Sequence, residues 1–272
     1  MDERPATLRA FCIAAALMAG GCASTARDSR GDPRVTAELA PNGIVRAAIN
    51  FGNPVLATRS ASGEPQGVSV DLAREAARRL NVAIELMPFN AAGDVVGALK
   101  ARSVDLGFVA IDPVRGADVD YTAPYVIIEG AYLVRGDSPL RSNDEVDRAG
   151  TRIAVGRGSA YDLFLTREIH NASIIRVAGS PKVVDEFLAQ KLEVAAGVKQ
   201  QLEADAARVG GVRLLPGRFM VIEQAMGVPK GRTAAQAWLS TFIEEMKRSG
   251  FVADALKRHR IEGAAVAPPR AA

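Results

Sequence analysis

Cysteine, histidine and aromatic residues are all scarce in this chain of 272 residues, which holds 2 Cys, 2 His and 5% Phe, Trp and Tyr. Both cysteines, Cys12 and Cys22, fall at the very start, so a body built from the rest contains no disulfide and is held by packing alone. His170 and His259 stand far apart on polar stretches. No H-E-x-x-H, C-x-x-C, G-x-S-x-G or G-x-x-x-x-G-K-[ST] pattern occurs, and Gly156-Arg157-Gly158 lacks the third glycine of a dinucleotide loop. We therefore expect no metal, no cofactor and no catalytic residue. A basic block is missing too: 34 bases against 31 acids, spread along the chain, leave a net charge of +3, which is no footprint for nucleic acid.

Long apolar runs are absent as well. The longest near the start, Ala10 to Ala19 behind Arg4 and Arg9, falls well short of the roughly 20 residues that span a bilayer, and reads as a targeting signal. Met18-Ala19-Gly20-Gly21-Cys22 resembles a bacterial lipobox, with Ala19 where leucine is usual. That resemblance implies a signal peptide over residues 1–21 and diacylation of Cys22; an ordinary cleaved signal peptide is the alternative. Residues 22–41, rich in small, charged and turn-forming types, read as a flexible tether.

What is present is a repeating strand–helix pattern in a chain that is 48% hydrophobic and long enough for two lobes. Ile44 to Ile49 reads as a strand, broken by Asn50-Phe51-Gly52-Asn53-Pro54, and Leu72, Ala76 and Leu80 form one helical face. Phe51 either stacks on a ligand or seals the loop. Asp71 reads as a carboxylate at a helix N-terminus rather than a ligand group. Leu106 to Ile111 is a strand stopped by Asp112-Pro113, which places Arg115 in the loop past a strand's carboxyl end, where open α/β sheets form their crevice. Farther on, Ser159 and Asp162 form a capping pattern after Gly156-Arg157-Gly158, so a helix opens with free N–H groups suited to an anion. The stripe Trp238, Phe242 and Met246 reads as core, and residues 263–272, rich in Ala and Pro, as a disordered tail.

The stretch Asp105 to Tyr125, with Asp105, Arg115, Asp120-Tyr121-Thr122 and Pro124-Tyr125, resembles the type II periplasmic solute-binding proteins of the polar amino-acid ABC transporter family. Asp112 stands where that family has threonine. Gly67-Val68-Ser69-Val70-Asp71-Leu72-Ala73 matches the family's first-helix opening, and the likeness runs from about Gly43 to Ile261. It implies a two-lobed α/β fold with a cleft and two crossover segments, residues 42–128 and 225–262 forming one lobe and 129–224 the other. It further implies a monomeric, extracytoplasmic protein that captures a small polar solute by hinge closure and serves an ABC permease or a membrane sensor.

Arg115 is the expected anchor for a carboxylate, with an internal pair to Asp112, Asp118 or Asp120 as the alternative. Phe51, Asn53, Asp112, Glu129, Ser159, Ala160, Tyr161 and Glu223 complete the expected site. The family's second aspartate, which grips a ligand ammonium, is replaced here by Val198. On this reading Glu129, or else Asp112, supplies the missing charge, and the ligand carries a positive group. Two other readings stand beside this one: a periplasmic enzyme resembling the cyclohexadienyl dehydratases, with Glu129 or Glu223 as its acid, and an accessory protein of a periplasmic oxidoreductase.

Overall fold

The computed structural model describes Met1 and residues 32–270. The signal segment and Cys22 lie outside the described residues. In chain order the elements are α1 (Pro33–Leu39), β1 (Ile44–Asn50), β2 (Thr58–Arg59), β3 (Pro65–Gln66), α2 (Val68–Leu80), β4 (Ala83–Phe89), α3 (Ala92–Lys100) and β5 (Leu106–Ala110). The long β6 (Val119–Arg135) leads to β7 (Arg152–Gly156), α4 (Ala160–Glu168), β8 (Ser173–Val177), α5 (Val183–Ala189), β9 (Val194–Val198), α6 (Lys199–Val209) and β10 (Val212–Leu214). Then β11 (Met220–Pro229) precedes α7 (Thr233–Arg248), α8 (Phe251–Arg258) and β12 (Ala265–Val266).

The order β4-β1-β5-β11-β6-β9-β7-β8 makes one continuous path in which β6 and β11 sit between two parallel groups. β1 pairs parallel with β4 and β5, and β7 pairs parallel with β8 and β9, while β6 and β11 run antiparallel to each other and to their neighbours. Every residue of β5 and of β9 is buried, as expected for strands covered on both faces. These two all-apolar runs, LGFVA and VAAGV, anchor the two lobes of a type II periplasmic-binding fold.

Pro124 lies inside β6, which is one strand of 17 residues. The proline is accommodated because the register against β11 shifts around Ala225, so the missing N–H falls at a bulge. A single strand therefore passes from one lobe to the other. Helix α2 shows why the local code works: Leu72, Ala76 and Leu80 are buried on one face, and Asn81 closes the helix at φ 53°, a left-handed position asparagine tolerates.

Two expectations are corrected. Part of the supposed tether is the helix α1: Asp32 Oδ1 accepts the Arg34 N–H at 2.9 Å, Pro33 occupies the first turn, and Val35 and Leu39 are buried against the core. Likewise the tail is ordered over 265–270. β12 pairs with Ile127 and Val126, the Ala267 N–H donates to the Tyr125 carbonyl at 3.1 Å, and the buried Lys247 ammonium donates to the Pro268 carbonyl at 3.1 Å. The long edge of β6 recruits a segment with little apolar signal of its own.

Candidate functional site

Between the lobes lies a cavity lined by residues from distant parts of the chain, among them Asn50 at the end of β1 and Asn53 after it, Arg115 after β5, and Ser159 and Tyr161 at the start of α4. Its remaining volume is about 30 Å³, enough for one or two water molecules. The lobes are drawn together: the Arg115 Nη2 donates to the Gly158 carbonyl across the cleft at 2.7 Å, and a β-carbon on Gly158 would stand 3.3 Å from the Gly93 Cα. Gly158 itself has φ +68°. A glycine serves both needs there, the left-handed turn and the close approach.

Arg115 is 4% exposed and begins the short 3₁₀ turn Arg115–Ala117. Its Nη1 donates to the Ala110 carbonyl at 3.0 Å, and no carboxylate of the described residues pairs with it. Each acid considered as an internal partner is taken. Asp112 pairs with Arg167 at 3.0 Å, Asp118 with Lys100 at 3.2 Å and Asp120 with Lys230 at 2.6 Å. Burial lowers the Arg115 pKa from its usual value, an effect that Tyr121, Asp112 and Asp162 only partly oppose. Facing it, Ser159 caps α4 by accepting the Asp162 N–H at 3.0 Å. The Ala160 and Tyr161 N–H groups are left without a hydrogen-bond partner among the described residues. A guanidinium and the N-terminal amides of a helix thus converge on one small space, an arrangement suited to a carboxylate.

Asn53, Ser159, Ala160 and Tyr161, all among the expected site residues, line the cavity with Arg115. Four others do not. Phe51 lies beneath the Arg59 guanidinium, 4.4 Å from ring centroid to Cζ, and seals the loop. Asp112 turns away to Arg167 and accepts the Val114 N–H at 2.8 Å. Glu129 is held by Arg218 at 2.6 Å and Lys199 at 3.3 Å, which together outweigh burial and lower its pKa. Glu223 is exposed, because the period of two along β11 aims its neighbours Ile222 and Gln224 inward instead.

The expectation that Glu129 or Asp112 replaces the missing ammonium anchor is therefore overturned. Both are already neutralised by arginine or lysine and face elsewhere. Val198 does line the cavity, and Gln224, Ser180 and Asn50 are lining residues that sequence reasoning missed. For Gln224 a signal existed: a polar residue directly before the apolar run AMGV, in phase with Ile222 on the apolar side of the alternation, calls for a partner or a ligand.

This two-lobed α/β architecture, with a cleft crossed by two long strands, is that of periplasmic solute-binding proteins of type II. The chain belongs to the bacterial extracellular solute-binding proteins, family 3, whose family pattern matches residues 45–260. It is a solute-binding protein, and membership of that family carries an extracytoplasmic location. Among solved structures it is similar to a binding component of an ABC transporter from Wolinella succinogenes complexed with lysine. The TM-score is 0.70 at 21% identity, covering 80% of this chain and 95% of the other. It is also similar to the solute receptor for L-cysteine of Neisseria gonorrhoeae, with TM-score 0.74 at 20% identity over 84% and 94% of the two chains. A third is an ancestral amino acid-binding protein, a precursor of cyclohexadienyl dehydratase, with TM-score 0.69 at 19% identity over 81% and 97%. No curated protein matches this sequence.

Proposed function

We propose that this protein captures a small polar solute by its carboxylate, at Arg115 and the start of α4, and hands it as the closed form to an ABC permease or a membrane sensor. The observation that carries this reading is a buried guanidinium with only backbone carbonyls as partners, at the cavity where the lobes meet. A charge so placed is costly unless something pairs with it. Residues 42–128 and 225–262 would move against residues 129–224, about the crossing strands β6 and β11. A solute of amino-acid size does not fit in about 30 Å³, so capture requires the lobes to part and close again. The solved neighbours named above are described with lysine and with L-cysteine, solutes that each carry a carboxylate.

A binding role rather than an enzymatic one is supported by the position of the acids. Glu129 and Glu223, the two that an elimination of the dehydratase kind would need, lie outside the cavity, and Glu129 is held charged by its cations. Lipid attachment at Cys22 would keep the receptor at the membrane, beside its permease.

The test is titration calorimetry of the purified protein against a panel of small carboxylates. Arg115→Lys is expected to weaken any binder roughly 10- to 100-fold, since an ammonium loses the paired donors of the guanidinium. Circular dichroism should show the fold retained. Wild-type affinity in that variant would assign Arg115 a purely structural role.

A further inference from the structure

The charges that line the cavity do not balance as they would around a zwitterion. Arg115 is the one charged side chain among the lining residues, and no carboxylate is among them. Val198, 5% exposed at the end of β9, sets an apolar isopropyl group on the cavity at the position where the resemblance to amino-acid binders implies an acid. Three acids of the surrounding elements are engaged elsewhere: Glu129 by Arg218 and Lys199, Asp112 by Arg167, and Asp162 by Arg176 at 2.8 Å. A bound α-ammonium would sit beside an apolar wall and share its space with a like-charged guanidinium.

Neutral hydrogen-bonding groups take the acid's place. Asn53 is 7% exposed, and its buried side-chain Oδ1 has no hydrogen-bond partner among the described residues. Gln224 is 5% exposed, and its side-chain amide makes no hydrogen bond to any described residue. Buried amides are normally satisfied, and two lining one cavity mark where a ligand's polar atoms go. The orphan Asn53 oxygen asks for a donor, and a hydroxyl or an amide N–H supplies one with no charge to neutralise.

We infer that the ligand is a small carboxylic acid whose second polar group is neutral, a hydroxy acid or an amide acid, and that Val198 excludes α-amino acids. This rests on the carboxylate-capture reading above and narrows it. Asn53 and Gln224 would hold the neutral group, while Arg115 and the α4 amides hold the carboxylate.

Matched pairs decide the matter: lactate against alanine, malate against aspartate and phenyllactate against phenylalanine, with succinamate as an amide acid, titrated into the full chain. In at least one pair the hydroxy acid, or else succinamate, is expected to bind about 100-fold tighter than the amino acid, the penalty for an ammonium left without a counter-charge. Val198→Asp should reverse that preference, and Gln224→Met should weaken the hydroxy or amide acid without improving the amino acid. Should Val198→Asp fail to fold, the Gln224→Met result and the wild-type ratio still decide. Amino acids binding as tightly as their hydroxy partners, with loss of binding in Arg115→Lys, would overturn the exclusion of amines and leave carboxylate capture standing. Binding indifferent to Arg115→Lys would remove both. No binding of any hydroxy or amide acid at millimolar concentration would overturn the ligand class.

Discussion

Gly158 is a residue at which the two lobes meet closely. Its φ of +68° is one that a side chain resists by about 1–2 kcal/mol, and a β-carbon there would press on Gly93 at 3.3 Å. Its carbonyl also receives the Arg115 Nη2. We expect Gly158→Ala to lower the melting temperature by a few degrees and to shift the scattering profile toward a more open form. A variant with wild-type melting and wild-type radius of gyration would show that the close approach is not needed. On the reading inferred above, Val198 would act at the same scale in a different way, a single missing carboxylate changing which ions the cleft holds without changing the strand that carries it.

At the scale of elements, the crossing strand β6 organises more than its length suggests. It pairs with β9, β10, β11 and β12, so it ties both lobes, and it also holds the end of the chain. The terminal segment contributes buried Ala267, an acceptor for Lys247 at Pro268 and a donor from Arg270 to Glu244 at 3.0 Å. Deleting residues 264–272 is expected to destabilise the protein by about 1–3 kcal/mol, because backbone pairing is lost and the buried Lys247 ammonium keeps fewer acceptors. Thermal denaturation measures this, and an unchanged midpoint would show that the segment is held without contributing. Helix α1 is its counterpart on the N-terminal side of the described body: Glu38 Oε2 accepts the Ala235 N–H at 2.8 Å and its carbonyl accepts from Arg232, which fastens α1 to the start of α7.

For the whole molecule, the hinge closure proposed above would leave the sheet unbroken, because the two lobes share the continuous strands β6 and β11. A receptor working this way gains from being held near its permease. Acylation at Cys22 would do so, since two or more acyl chains anchor stably where one binds marginally. Cys22→Ser is expected to move the protein from the membrane fraction to soluble or unprocessed material. Recovery of the wild type as a soluble protein with another N-terminus would dismiss the anchor.

Local order was largely legible in the sequence. The apolar face of α2, the buried runs of β5 and β9, the cap at Ser159 and the full extent of α7 are each set by short-range periodicity or by a side chain bonding its own backbone. Even α1 was readable, since Asp32-Pro33 is a cap followed by a first-turn proline, though the small-residue composition of 22–41 hid it. Arg115 was legible from its place after a strand. Which acids it would meet was not. Asp112, Glu129 and Glu223 were all plausible partners along the chain, and only the pairing of distant strands, with its period of two, decided that they face other cations or solvent while Val198, Asn53 and Gln224 face inward. The sequence by itself determined the elements and the family, because those depend on neighbours within a few residues. The tertiary structure alone decided the charge of the cleft, because that charge is a sum over side chains that only sheet order brings together.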